Sequence, residues 1–510
     1  MTGRSPADGV TETDGRWADI VLRALDQRLS ATAAVVLGSD APVPADDEPD
    51  GRLAAQVLPL LLERCADPKR ADVRWITLTA IRAAYPTASE LVGFGRYVAL
   101  ASRRHAESVV FEELLHSPSP ENLDMEMDIV HRGVVIDVDF TARNDTHTGI
   151  HRVVREVLPR WSDAHAITAA AWTTSRTALR GLEPQEHARV FDHGQAVATI
   201  ASTPAALPRL VVPWQSTLIL PDVPNGAASD RLATIGSLSG NDLSLVGYDM
   251  IPITSAETRP FGDALAFAQY LTVVKHTRHI AAISRSATME FSGFASALAA
   301  QGLAGPTVQE VVLTEEAPAH QDDVVRSTER PRIVCVGSRE PHKNQRTVLH
   351  CAERLWREGL DFDLELIGGN GWNADVLAPA LARATSLGFP VLDTGRVDDA
   401  YLWNALRSAT FTVFVSLHEG YGLPVADSLA CGTPVLTSNF GSQQEIAEGG
   451  GCLTVDPRDD ESVTDGMRRL LTDAALLDEL RVQALARPRR TWDEYADELW
   501  RALVPAGETP

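Results

Sequence analysis

The stretch SLHEGYGLPVADSLACGTPVLTSN, residues 416–439, holds two carboxylates in surroundings that could do chemistry. Glu419 stands just before the turn Gly420-Tyr421-Gly422, and Asp427 follows inside the short helix that Pro424 opens and Gly432 ends. Glycines let backbone approach a ligand closely, and proline suits a first helical turn. The free N–H groups of that turn, with the helix dipole, favour an anion such as a diphosphate. A carboxylate one turn into the helix can accept two hydrogen bonds from a ribose diol, and Glu419 can reach a sugar hydroxyl. The segment therefore suits a nucleotide-sugar, with phosphates on the turn and a carboxylate at each end. A plain strand–turn–helix with a helix-capping acid accounts for the same residues.

Lys343 is the matching cation. It closes a glycine-opened loop in CVGSREPHKNQRTVL, beside Asn344. Lysine otherwise occurs only at Lys69 and Lys275, with arginine elsewhere, and a compact ammonium suits a diphosphate. The plain alternative is a solvated charge at a helix start. Gly149 opens the helix of TGIHRVVRE and can face a leaving phosphate or an acceptor across a cleft, or be a plain helix-start glycine; Asp249 ends a strand on the cleft side in GYDMIPI and could equally cap a turn. His147 and His151, and His276 and His279, have helical spacing but no carboxylate or cysteine partners, so no metal site is implied.

Behind these residues stand alternating elements. ATFTVFVSL is apolar enough for a central strand, which puts Glu419 at its carboxyl end, where open α/β sheets bind ligands. RIVCVGS, LELIGG, PVLDTG, TPVLTS and GCLTVD read as companion strands with helices between them. An earlier series runs through GVVIDVDF, LVVPW, TLILPDV, LSLVGYDMIPI, HIAAIS and TVQEVVL, so two mostly parallel sheets are expected. The polar, proline-bearing residues 314–331 read as a linker, and TWDEYADELWRAL as a closing amphipathic helix. Residues 1 to about 130 carry apolar positions at helical spacing, as in GRLAAQVLPLLLERC, and are expected to fold as a helical unit without donor contacts.

Composition narrows the classes. A chain of 510 residues calls for two or three domains. The formal charge of −23 argues against nucleic acid as a main partner and against adhesion to anionic lipid. Cys65, Cys335, Cys351, Cys431 and Cys452 lie in or beside apolar segments without a CxxC pair, as buried free thiols do in a reducing compartment. No run approaches the ~20 apolar residues of a membrane helix, and the first residues lack a signal core, so a cytoplasmic location is expected.

The span Glu419 to Asp427 is similar to the E-x7-E signature of glycosyltransferase family 4 (group 1), retaining enzymes with the GT-B fold of two facing Rossmann-like domains. CVGSREPHKNQRTVL resembles that family's phosphate loop, G-x-x-x-P-x-K-N. LELIGGNGW, DTGRVDDAYLWNAL and CGTPVLTSNFGSQQEIAEGGG resemble its following segments, in order. TGIHRVVRE and GYDMIPI resemble its TGI.R helix start and HDxIP strand end. The resemblance covers roughly residues 133–505. It departs at Asp427, where glutamate is usual, at Tyr248, where histidine is common, and at Ser338, where many relatives have arginine.

The resemblance implies an α/β GT-B chain: a helical extension over 1–130, an acceptor domain over 131–325, a nucleotide-sugar domain over 326–490, and a C-terminal helix over 491–510 crossing back to the first domain. It implies metal-independent, cofactor-free transfer of a hexose-like sugar from a nucleoside-diphosphate donor to a hydroxyl of a glycan, lipid-linked saccharide or small-molecule glycoside. Glu419, Lys343 and Asp249 would be catalytic. Ser338, Lys343, Gly369, Val397, Glu419, Gly420, Tyr421, Gly422, Leu423 and Asp427 would bind the donor, and Gly149, Arg152 and Tyr248 would line the acceptor side. The extension is a candidate surface for self-association or a protein partner. A nucleotide-sugar epimerase, hydrolase or phosphorylase on the same architecture, or a non-catalytic nucleotide-sugar-binding subunit, are the alternatives. The scarcity of lysine speaks against the pyridoxal chemistry of a phosphorylase.

Overall fold

Short apolar runs rich in β-branched residues form the two sheets, and their carboxyl ends meet. The computed structural model describes residues 12–42, 52–100, 106–145, 148–193, 208–318, 330–372 and 374–504. The first sheet holds β1 (Met127–His131), β2 (Val134–Asp137), β3 (Ile167–Trp172), β4 (Leu179–Gly181), β5 (Leu210–Trp214), β6 (Thr217–Leu220), β7 (Asp242–Gly247), β8 (His279–Ala282) and β9 (Thr307–Glu310). Their order is β1-β5-β4-β3-β2-β6-β7-β8-β9, parallel except for β4. The second sheet holds β10 (Arg332–Val336), β11 (Asp363–Ile367), β12 (Val391–Gly395), β13 (Phe411–Phe414), β14 (Val435–Ser438) and β15 (Cys452–Val455). It is wholly parallel, in the order β12-β11-β10-β13-β14-β15, with β10 and β13 at its centre.

The helices before β1 are not a unit apart. Trp75, Ile76, Tyr85 and Leu61 share one buried cluster with Trp172, Val212 and Trp214 of the first sheet. Tyr85 donates to the Val211 carbonyl of β5. Arg28, fully buried, donates to the carbonyls of Ala80 (2.7 Å), Leu123 (2.8 Å) and Met125 (2.6 Å). The expected helical unit packs as a covering layer of the first sheet, because its apolar stripes have that sheet face to bury against. The chain also enters the sheet earlier than expected, at β1 within residues read as helical. The expected linker falls partly outside the described residues, as do His147 and the boundary at 325/326.

A second cluster joins the two sheets. It runs from Val246, Tyr248 and Ile283 through Tyr421, Val425 and Leu429 to Trp492, Tyr495, Leu499 and Leu503. The closing helix Trp492–Leu503, which begins with a Thr491/Glu494 capping box, packs on helix Gly149–Ala164. Trp161 donates to the Ala496 carbonyl (2.9 Å) and Ser244 to that of Leu503 (2.9 Å), so the chain's last helix lies on the first sheet.

Candidate active site

Strand β13 delivers Glu419 to the boundary between the sheets. Past it, Gly420 lies so close to the end of β7 that a Cβ there would come within 2.4 Å of the Tyr248 carbonyl oxygen. The Gly420 carbonyl accepts from Ser284, the cap of helix Arg285–Ala299 (2.6 Å). Gly422 has φ +113°, a left-handed conformation that favours glycine, and it caps helix Leu423–Ala430 with Pro424 in the first turn. Leu423 abuts Gly149: a Cβ on Gly149 would lie 2.9 Å from it. The first turns of helices Gly149–Ala164 and Leu423–Ala430 therefore converge; Thr148 caps the first by accepting from His151 N–H, and the Gly422 carbonyl accepts from Val425 N–H (2.9 Å) in the second.

The loop after β10 supplies the cation. Lys343 donates to both carboxylate oxygens of Glu419, at 2.7 and 2.9 Å, and its ammonium lies 5.6 Å from the centre of the Phe414 ring. Asn344 holds this loop in place. It adopts φ +57°, and its amide donates to the carbonyls of Val415 (3.1 Å) and Pro457 (2.8 Å). His342 is buried beside Lys343, and both burial and that ammonium push its pKa down to about 4, so it is neutral. Its carbonyl accepts from Leu417, two residues before Glu419 (2.7 Å).

Asp427 meets a residue of the first sheet's side. Arg152 donates to both its oxygens, at 2.7 and 2.9 Å, and to the Glu316 carbonyl at 3.2 Å. The guanidinium sits 5.3 Å from the Trp403 ring centre and 5.5 Å from that of Trp492. Burial pushes the Asp427 carboxyl up, and Arg152 offsets part of that. The carboxylate expected to face a ribose is thus engaged by Arg152.

Other expected residues divide. Asp249 follows β7, accepts from Ile251 N (3.0 Å), and its second oxygen lies 3.2 Å from where a Gly420 Cβ would be. Burial, with Glu290 and Glu419 nearby, raises its pKa to about 6. Ser338 donates to Glu340 (2.8 Å), which pairs with Arg259 of the first sheet's side (3.0 Å). Gly369 accepts from Arg339 N (3.1 Å), and Val397 packs beside Val334 and Ile367 at the same carboxyl edge. Tyr248 and Tyr421 do not present their side chains to the cleft. Both rings are buried in the cluster between the sheets, with hydroxyls on the carbonyls of Pro221 (2.7 Å) and Leu313 (3.2 Å). An aromatic ring at these positions buries more by filling that contact than by facing water.

Several residues of the site escape sequence reading. A cavity of about 230 Å³ opens beside Glu419, lined by Ser286 and Glu290 from the first sheet's side and His418, Ser442 and Gln443 from the second. Gln443 is buried, and its side-chain nitrogen has no hydrogen-bond partner. Its position in GSQQEI gave no signal, since an amide among polar residues reads as surface. Among the described residues no His, Cys, Asp and Glu group could hold a metal ion, and no helix is long and apolar enough to cross a membrane.

Comparison with known proteins fits this geometry. Residues 317–487, which hold the Lys343 loop and both carboxylates, match the family described as "Glycosyl transferases group 1". The chain is 24% identical over 338 residues to the serotype-specific mannosyltransferase WbdA of Escherichia coli, covering 62% of this chain and 39% of that protein. It is 31% identical over 160 residues to the O-antigen chain mannosyltransferase B of Escherichia coli, 31% of this chain and 42% of that one. The chain thus spans well under two thirds of either relative. Sucrose-phosphate synthase from Thermosynechococcus elongatus superposes with a TM-score of 0.51 at 14% identity, over 74% of this chain and all (100%) of that one. That likeness shows the fold: two facing α/β domains of the GT-B type.

Proposed function

From residues 317–487 as a group 1 glycosyltransferase domain, we propose that the chain is a retaining enzyme of glycosyltransferase family 4. It moves a hexose-like sugar from a nucleoside-diphosphate donor to a hydroxyl of a glycan, lipid-linked saccharide or small-molecule glycoside. The observation that carries the reading is the Lys343–Glu419 pair at the carboxyl edge of the second sheet, where the two converging helix starts meet. The two Escherichia coli relatives described above are named mannosyltransferases, which makes mannose the first sugar to test.

In this reading the donor diphosphate takes Lys343 away from Glu419, and the ammonium and the N–H groups of the two helix starts stabilise the negative charge that develops on the leaving group. Glu419, released, accepts hydrogen bonds from the sugar. The acceptor hydroxyl attacks the anomeric carbon from the face the diphosphate leaves. The bond from that carbon to the phosphate oxygen breaks as the new glycosidic bond forms, and the acceptor proton passes to the departing phosphate. Retention follows without a carboxylate nucleophile. Asp249 stands on the acceptor side of the same turn. Asp427 contacts the ribose once Arg152 yields an oxygen, and Ser338, Gly369 and Val397 border the nucleotide.

The test is a thermal-shift screen of the full chain with GDP, UDP, GDP-mannose and UDP-glucose, since a ligand that binds the folded state stabilises it by mass action. One nucleotide family should raise the melting temperature. No shift with any of them would remove the reading. Donor consumed equally with and without acceptor would turn it towards a hydrolase or epimerase.

A further inference from the structure

His418, the residue before Glu419, is held from the other side of the cleft. Its Nδ1 lies 2.8 Å from the Ser255 hydroxyl and its Nε2 lies 3.1 Å from Glu290. Both partners belong to the first sheet's side, while Glu419 itself is held by Lys343 of the second. Glu290 does a second thing. Its other oxygen accepts from the backbone N–H of Met250 (2.8 Å), the residue after Asp249, and Thr254 donates to the oxygen that faces His418 (3.1 Å). One carboxylate on helix Arg285–Ala299 thus grips the segment that carries Asp249 and the segment that carries Glu419. Glu290 and His418 also line the cavity beside Glu419. Both are largely buried, with side-chain exposures of 15% and 21%, so this is not a solvated surface pair.

We propose that Glu290 and His418 are a positioning pair that sets the two candidate reacting carboxylates, Asp249 and Glu419, in register across the cleft; the role of those carboxylates rests on the proposed function, but the pairing does not. A geometric role of this kind has leverage, because a displacement of about 1 Å at a reacting group can cost a hundredfold in rate. The pair is also titratable. Burial disfavours the imidazolium, but the Glu290 hydrogen bond and charge outweigh it and hold the His418 pKa above the ordinary histidine value. The other charges facing His418 are Asp249 and Glu419, the latter neutralised by Lys343. Loss of the His418 proton on the alkaline side should weaken the grip and loosen the register.

The experiment uses the full chain and the variants Glu290→Gln and His418→Asn. The His418 pKa is read by NMR on histidine-labelled protein, with His418→Asn identifying the signal, and kcat is followed against pH. Glu290→Gln should lower the His418 pKa and move the alkaline limb of kcat to lower pH. Both variants should lose about ten- to a hundredfold in kcat, while nucleoside-diphosphate affinity stays within about threefold because neither side chain is placed on the nucleotide. An unchanged His418 pKa in Glu290→Gln, or an unmoved limb with kcat near the wild-type value, would overturn the pair. Ser255→Ala, which removes the Nδ1 partner, should shift the pKa in the same direction by less, and serves if Glu290→Gln does not fold. Absence of transfer in the wild type would instead tell against the proposed function, and the NMR titration would still decide the pair.

Discussion

Lys343 and Glu419 face each other across the gap between the loop after β10 and the turn after β13, with the ammonium 2.7 and 2.9 Å from the two carboxylate oxygens. Each is held from a neighbouring strand's end, the lysine loop from past β13 and Glu419 from past β14. Asn344 ties the lysine loop to Val415, and Ser442 donates to the Glu419 carbonyl (2.9 Å). In the proposed function each of these two charges changes partner, Lys343 to the diphosphate and Glu419 to the sugar.

The first prediction follows from that pair. Lys343→Ala should lower turnover by about 10²–10³-fold, the usual cost of losing one charge-stabilising contact, with the fold intact by circular dichroism. Glu419→Ala should depress turnover more than nucleoside-diphosphate affinity, since the proposed function puts it on the sugar. Turnover near the wild-type level in Lys343→Ala would remove the lysine from the phosphate site.

Arg152 and Asp427 allow a sharper test of the ribose contact. Asp427→Ala should weaken nucleoside-diphosphate binding by about ten- to a hundredfold, as expected for hydrogen bonds to a charged acceptor worth about 1.5–3 kcal/mol. It should also destabilise the chain, because it strands a largely buried guanidinium; the loss should fall below the ~3–5 kcal/mol of a fully buried pair, since Arg152 is a quarter exposed. Arg152→Ala combined with Asp427→Ala should cost less than the two losses added. Calorimetric titration and urea unfolding measure both. Unchanged affinity in Asp427→Ala would leave Asp427 only as the anchor of Arg152.

Asp222 gives a pH signature. Burial raises its carboxyl pKa to about 7, although Thr141 donates to it through both N–H (2.9 Å) and hydroxyl (2.8 Å). Between the unfolded value near ~3.9 and about 7 the folded chain holds more protons than the unfolded one, so stability from this group is full at low pH and is lost as pH rises through 7. Asparagine keeps both contacts, accepting from the Thr141 N–H and donating to its hydroxyl. Asp222→Asn should therefore be more stable than wild type at pH 8 and little different at pH 4, by thermal melts across that range. Asp137, raised likewise to about 7, keeps some of the slope in the variant. An equal offset at both pH values would contradict the assignment.

The helices before β1 carry a prediction of stability. Trp75→Ala should destabilise the chain by about 3–5 kcal/mol, the cost of emptying a large buried site, and a chain shortened to begin near Ser117 should lose its cooperative melt. A shortened chain that melts sharply at the wild-type temperature would show that the first sheet needs no such cover.

Much of the site was legible because its demands are local. A glycine turn between a carboxylate and a helix, and a lone lysine after a glycine-opened loop, are sequence-adjacent patterns, and the structure brings Lys343 and Glu419 together. What was not legible depends on docking. Glu290 lies in SATMEFSGF, where an acid reads as an ordinary helix residue, and only the approach of β13's loop gives it His418. The engagement of Asp427 by Arg152 joins residues far apart in the chain. Strands β3 and β4 were missed for a different reason: ITAAAW is half alanine and LRG is very short, so neither reads as the continuous run of large apolar residues that marked β2 and β6. The helical extension was recognised, but helical spacing alone does not say which surface its stripes will cover.

The most direct measurement is the stereochemistry of transfer. The full chain would be incubated with GDP-mannose and UDP-glucose in turn, with an acceptor saccharide, and the anomeric configuration of the new linkage read by NMR as it forms. The account predicts that one donor is consumed only when acceptor is present, and that the product keeps the donor's α configuration. A product of inverted configuration, or a donor that binds tightly and is never turned over with any acceptor, would contradict it.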